Sequence, residues 1–329
     1  MSDKARESAA SERRKGKLSR RRAVAFGGPT ASGKSAAALA AAVALGGVVI
    51  NADSMQVYRE LAILTARPDA AALAAAPHRL YGVLPAADAC SAGRWCAMAL
   101  AEIDAALAAG KLPILAGGTG LYLEALRNGL APVPPIPDDI REQAQALLRE
   151  DDGPALHARL ARIDPAAAAA LRPGDRQRII RAWQVMTATG RSILEWQRAP
   201  HPADDAPELT TFLFLPERKA LYAACDRRFE QMIQAGAIEE VKALLALGLD
   251  PGLPAMKAVG VREIASYLRG EIGRAEMIAR GQQATRNYAK RQYTWFRHRV
   301  RAAVVFDAQY SERLDRDIFK KIRESRLTL

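Results

Sequence analysis

The run Gly28, Pro29, Thr30, Ala31, Ser32, Gly33, Lys34, Ser35 has the residue types that chemistry on a phosphate group needs, at the spacing it needs. Its glycines let backbone N–H groups close on phosphate oxygens, Lys34 neutralises their charge, and Ser35 can hold a magnesium ion. The dipole of a following helix adds to both. The chain therefore handles a phosphorylated small molecule, though the loop alone leaves open which one and whether a phosphoryl group moves. Asp53, in Asn51-Ala-Asp-Ser-Met-Gln-Val-Tyr58, follows a short apolar run and is expected at a strand end beside the loop. A carboxylate there can ligate magnesium, take a proton or hydrogen bond from a nucleophile, or simply cap a helix. Thr119, in the turn Gly117-Gly-Thr-Gly120, would donate into the same crevice, although such turns are common wherever a strand runs tightly into a helix.

A second set of residues suits a polyanion. Arg286, Lys290, Tyr293 and Arg297 recur at i, i+4, i+7 and i+11, one stripe of a helix. Residues 285–301 hold six Lys/Arg, Arg291 among them, and no acid. They are interleaved with Tyr288, Trp295 and Phe296. Cations for phosphates and rings for stacking suit RNA loops, while each ring taken singly reads sooner as core. Gln177, Arg178 and Arg181 group polar and basic ends on one side of another predicted helix.

These residues need elements to carry them. Apolar strands are expected at Ala23–Phe26, Val48–Ile50, Leu112–Leu115, Thr210–Leu215 and Ala303–Phe306, with helices at Ala36–Leu45 and Ser91–Ala109, another opened by Gly117-Gly118, and more between Glu217 and Arg299. Alternation of this kind predicts an α/β fold, a P-loop doubly wound parallel sheet with ligands beyond the carboxyl ends of its strands. Pro132, Pro134, Pro135 and Pro137 break the pattern. Beyond them, residues to about 198 form helices without a strand, which predicts an inserted all-helical subdomain over 131–200 between core segments 23–130 and 201–308. Residues 309–329 are expected as a C-terminal helix or tail.

Length and charge narrow the class. The 329 residues, half of them apolar, can bury a sizeable core. Three cysteines, Cys90, Cys96 and Cys225, include no C-x-x-C pair, so neither a zinc knuckle nor a disulfide framework is indicated, as suits a reducing cytoplasm. No run is long enough to span a membrane. The net charge is +12, and residues 1–22, a predicted disordered basic tail with nine Lys/Arg and three acids, supply +6 of it. Basic excess in both tail and body points to nucleic acid.

In their order along the chain, GPTASGKS, NADSMQVYR, GGTGLY, DRQRIIRA, DRRFEQMI, KAVGVREI and ATRNYAKRQYTWFR resemble the motifs of the bacterial tRNA dimethylallyltransferases, also called tRNA isopentenyltransferases. The resemblance covers roughly residues 23–306. It implies that the loop holds the diphosphate of dimethylallyl diphosphate rather than ATP, that Mg2+ assists, and that the acceptor is the N6 amine of the adenosine 3′ of the anticodon, position 37. On the same ground Asp53 takes the amine proton, Thr119 contacts the bridging oxygen, and Arg228 joins Lys34 and Ser35 on the leaving group. Asp53, Ser54, Met55 and Gln56 would meet the tRNA anticodon stem-loop, with Arg141, Gln177, Arg178, Arg181, Lys257, Arg262, Lys290, Arg291 and Arg297. A monomer is expected. Leu64 stands where the family usually has glycine, and Pro77-His-Arg-Leu-Tyr-Gly82 stands where an acidic segment usually follows Pro-His-His, departures that concern loop shape and tRNA preference rather than the reaction. Two other readings use the same loop: a small-molecule kinase, which leaves the basic aromatic helix unexplained, and a non-catalytic RNA-binding protein, which leaves Asp53 and Thr119 without a task.

Overall fold

The computed structural model describes residues 21–199 and 206–325. The chain divides into two compact units, Met1–Arg127 with Asp205–Leu329, and Asn128–Asp204. In the first, a six-stranded sheet runs β3-β2-β4-β1-β5-β6, every neighbouring pair parallel. Its strands are β1 (Arg22–Gly27), β2 (Gly47–Asn51), β3 (His78–Arg79), β4 (Leu112–Gly117), β5 (Glu208–Phe214) and β6 (Val304–Phe306). Both faces are covered, so the central strands are continuously apolar rather than alternating. Ala23, Ala25, Ile50 and Leu115 feed one core. Val24, Phe26, Val49 and Ile114 feed the other.

Helix α1 (Lys34–Leu45) follows β1, α2 (Ala70–Ala75) and α3 (Ala92–Ala108) precede β3 and β4, and α4 (Gly120–Asn128) follows β4. The alanine-rich α1 contains no breaker until Gly46 closes it at φ 66°. Ser91 caps α3 by accepting from the Arg94 amide, as its residue type leads one to expect. The second unit has helices and no strand among its described residues: α5 (Asp138–Glu150), α6 (Gly153–Ile163), α7 (Pro165–Ala170), α8 (Arg176–Thr189) and α9 (Ile193–Arg198). Leu156, Leu160, Ile179 and Ile180 centre its own core. After β5 come α10 (Arg218–Gln234), α11 (Ala237–Ala246), α12 (Val261–Leu268) and α13 (Arg274–Arg299), and α14 (Asp315–Glu324) ends the described chain.

All five expected strands are present within two residues at each end. β3 was not foreseen: two residues, one of them charged, carry no periodic signal and are strand only because they pair with Val49 and Ile50. Most of the basic tail, residues 1–20, lies outside the described residues. Its last two positions belong to the fold instead, Arg21 ion-paired with Asp104 and Arg22 opening β1. The carboxyl ends of β1, β2 and β4 lead directly into the phosphate loop, the Asp53 turn and the Gly117–Gly120 turn, and so bring the three motifs together.

Candidate active site

No side chain caps α1, so the amides of its first turn are left for an anion. Lys34 is buried beneath them and donates to Pro29 O at 3.2 Å. Burial pulls its pKa down to about 8; Asp53 opposes that shift and Arg228 adds to it. The Ser32 hydroxyl is buried with no partner among the described residues. The loop thus carries unmet donors around a desolvated ammonium, an arrangement that an anion completes.

Asp53 is held by its neighbours. Asn51 Oδ1 accepts from the Asp53 amide (2.8 Å), and Asn51 Nδ2 donates to the Asp53 and Leu80 carbonyls (2.9 and 3.1 Å). Asp53 Oδ1 accepts from the Met55 amide at 2.9 Å. No helix follows, so the capping alternative gives way to a local turn that uses one carboxylate oxygen and leaves Oδ2 facing Gly118. Glycine is needed there, because a Cβ on Gly118 would lie 2.2 Å from Gln292 Nε2. Thr119 Oγ1 accepts from the Ser54 amide at 2.9 Å. This ties the Gly117–Gly120 turn to the Asp53 turn, and Thr119 itself is not a wall residue of the cavity.

A cavity of about 200 Å³ opens where these turns meet. Thr30, Lys34, Ser35, Asp53, Ser54, Gln56, Lys257, Arg228 and Arg291 supply its polar wall, and Met55, Leu64, Phe229, Met232 and Val259 an apolar one. Burial lowers the pKa of Arg228, and the Asp53 carboxylate pulls the other way. No ion pair holds Arg228 among the described residues, so its guanidinium is available to whatever fills the cavity. Gln56 is partly committed already, since its Nε2 donates to Thr65 O and Ala66 O (2.9 and 3.0 Å).

Helix α13 contributes more than its cations. The buried Gln292 accepts from the Thr30 amide (2.8 Å) and donates to Gly118 O (2.9 Å), clamping the phosphate loop to the Gly117–Gly120 turn. Tyr288 lines the cavity with its hydroxyl beside Gln292 and Thr119, under Arg291 at 5.7 Å. Burial, with the Asp53 charge adding to it, pushes the Tyr288 pKa up and keeps that hydroxyl protonated. Lys290 and Arg297 are exposed and away from the cavity wall, as is Arg262 on α12. Arg286 differs from the rest of its stripe. Half-buried, it is ion-paired with Asp226 of α10 and also donates to Gln283. Tyr293 packs under Arg218 at 5.3 Å.

In the helical unit Arg141 and Arg178 are exposed and salt-bridged locally to Asp138 and Asp175 (3.1 and 3.2 Å). Gln177 and Arg181 are exposed beside them in sequence. Partial burial lowers the pKa of Arg181, and so does Arg141 from α5.

A model of the IPP transferase family matches residues 56–299, and one described as isopentenyl transferase matches 22–84. The chain belongs to the IPP transferase family. A tRNA dimethylallyltransferase of Rhodospirillum centenum is 57% identical over 285 residues, covering 86% of this chain and 90% of that protein. One of Paramagnetospirillum magneticum is 53% identical, covering 93% and 97%. The crystal structure of the tRNA isopentenylpyrophosphate transferase of Bacillus halodurans matches with TM-score 0.66 and 33% identity over 92% of this chain and 96% of that one. For an IPP transferase the two-sided cavity is apt, with anion donors along one wall and apolar side chains along the other. The two family matches together take in the phosphate loop, Asp53 and α13; the segment after β6 lies beyond both.

Proposed function

We propose that the chain transfers the dimethylallyl group of dimethylallyl diphosphate to the N6 amine of the adenosine 3′ of the anticodon, position 37, in tRNA, and releases diphosphate. The observation that carries this is the meeting, in one cavity, of a phosphate loop, a carboxylate with one oxygen uncommitted, and an apolar wall. A kinase leaves the basic aromatic α13 unexplained, and a passive RNA binder leaves the carboxylate without a task.

The diphosphate lies in the loop, on the α1 amides, Lys34, Ser32 and Ser35, and the five-carbon chain lies against Leu64, Phe229, Met232 and Val259. The adenine amine attacks the allylic carbon, the bond from that carbon to the bridging oxygen breaks, and the amine proton passes to Asp53 Oδ2. Charge accumulates on the leaving diphosphate, where Lys34 and Arg228 already stand as desolvated cations, and preorganised charge of this kind is usually the largest catalytic contribution. For Thr119 to meet the bridging oxygen, as the resemblance implies, its hydroxyl would have to turn from Ser54 into the cavity that it does not wall here. A general base adds about 10²- to 10⁴-fold for a nucleophile as weak as an aromatic amine.

Among the described residues no three His, Cys, Asp or Glu side chains gather closely enough to hold a metal by themselves. Mg2+ nevertheless fits: it favours oxygen donors, keeps several waters and leans on substrate phosphates, and the Ser35 hydroxyl stands at the loop to meet it. When bound it would neutralise charge on the diphosphate.

The target base must leave the stack of the anticodon loop to reach the cavity. Ser54, Met55, Gln56, Lys257 and Arg291, which line the cavity, would meet the extruded base. Arg141, Gln177, Arg178 and Arg181 would grip the anticodon stem, and Arg262, Lys290 and Arg297 its backbone. The enzyme would act as a monomer, in the cytoplasm where tRNA is met. No helix among the described residues is long and apolar enough to cross a membrane.

Incubation with labelled dimethylallyl diphosphate and unmodified tRNA, beside an ATP-consumption assay, tests this. Label on N6 of a single loop adenosine with no ATP consumed is expected. ATP turnover without label transfer would favour the kinase, and tight tRNA binding with neither would favour the passive binder.

A further inference from the structure

A loop that turns its N–H groups toward an anion turns carbonyl oxygens the other way, and those need partners of their own. Two of them are met from outside the cavity, by the segment between β6 and α14. Gln309 Nε2 donates to Ala31 O at 2.8 Å, and the Tyr310 amide donates to Ser32 O at 3.0 Å. The bonds fall where the loop is most strained. Ala31 holds φ 61°, a region that a residue with a Cβ enters only at a cost. Gly33, at φ 86°, has Tyr310 seated directly on it: a Cβ there would come within 2.7 Å of the tyrosine Cβ.

The strap is itself anchored. The Tyr310 hydroxyl donates to Asp315 Oδ1 (2.7 Å) at the start of α14, and its ring stands edge-on to Phe214 of β5 at 6.0 Å. Ile318 and Ile322 of α14 then join the core that holds Ala37, Ala38 and Ala41 of α1. Neither Gln309 nor Tyr310 lines the cavity.

We infer that Gln309 and Tyr310 are positioning residues for the prenyl donor: by holding the Ala31 and Ser32 carbonyls outward they keep the loop amides aimed at the diphosphate. The strap contributes donor affinity without touching the donor. This rests on the reading that the loop binds diphosphate.

The test uses the full chain and inorganic diphosphate as probe, with titration calorimetry beside transfer kinetics. Gln309→Ala should weaken diphosphate binding and raise the donor KM by about 3- to 10-fold, the size of one lost hydrogen bond, while kcat and tRNA affinity stay within about twofold. Adding Ala31→Gly should recover most of the loss, because glycine holds φ near 61° unaided. Global weakening of the fold would not be relieved in that way. Tyr310→Phe, which keeps the ring and cuts only the Asp315 anchor, should move the donor KM in the same direction by a smaller factor, and serves if Gln309→Ala does not fold. Unchanged diphosphate affinity in both variants overturns the strap's role, as does a loss that spreads equally to kcat and tRNA affinity or that Ala31→Gly leaves untouched. A wild-type chain that binds no diphosphate overturns the diphosphate reading, and the strap's role with it.

Discussion

Lys34 is the residue whose chemistry shows most directly in a titration. Its pKa in the fold, about 8 against an ordinary 10.5, is that of a base depressed by burial. Between those values the folded chain has lost a proton that the unfolded chain keeps, so this group makes stability rise with pH through that window. Donor binding has the opposite sign, because a diphosphate favours the charged form. We expect affinity for dimethylallyl diphosphate to fall as pH rises through about 8, and binding just above that pH to take up a proton. Calorimetry in buffers of different ionisation heat reads the uptake directly, and Lys34→Arg, charged throughout, should flatten the dependence. Lys34 was legible because its motif is local. Gln292 was not, since nothing in a basic helix marks one amide among many as the buried clamp between two loops. The only signal was its phase with Ala289 and Phe296 on the inward side of α13.

At the scale of elements, the strands could be read because both faces of a parallel sheet are covered and short apolar runs therefore stand out. β3 could not, its strand character coming wholly from its partner. Helix α13 was expected to show one basic stripe, and it shows three faces. Met277, Gly281, Ala289 and Phe296 are core, Tyr288 and Arg291 meet the cavity, and Lys290 and Arg297 point to solvent. Periodicity aligned Arg286 with the solvent face but could not see Asp226, fifty residues and more away. This divides the stripe in an experiment. Lys290→Gln with Arg297→Gln should flatten the slope of log tRNA affinity against log salt by roughly one and a half, about 0.7 to 0.9 for each phosphate contact, with diphosphate affinity unchanged. Arg286→Gln should leave the slope nearly as it is and lower the thermal midpoint, because it strands the half-buried Asp226 without its partner.

Over the whole molecule, charge and chemistry separate. Residues 1–20 carry seven Lys/Arg and three acids, whereas Arg21 and Arg22 are engaged in the fold. Deleting 1–20 should weaken binding of tRNA and of unrelated RNA alike and leave transfer at saturating tRNA unchanged; a filter-binding comparison of the two RNAs checks this. The catalytic claim stands or falls at the carboxyl ends of β1, β2 and β4, and single-turnover transfer by Asp53→Ala tests it most directly. With donor and tRNA both saturating, we predict a rate at least about 10²-fold below wild type, with diphosphate and tRNA affinities within about threefold. A variant that transfers the dimethylallyl group at the wild-type rate would contradict the account, because no other carboxylate among the described residues lines that cavity.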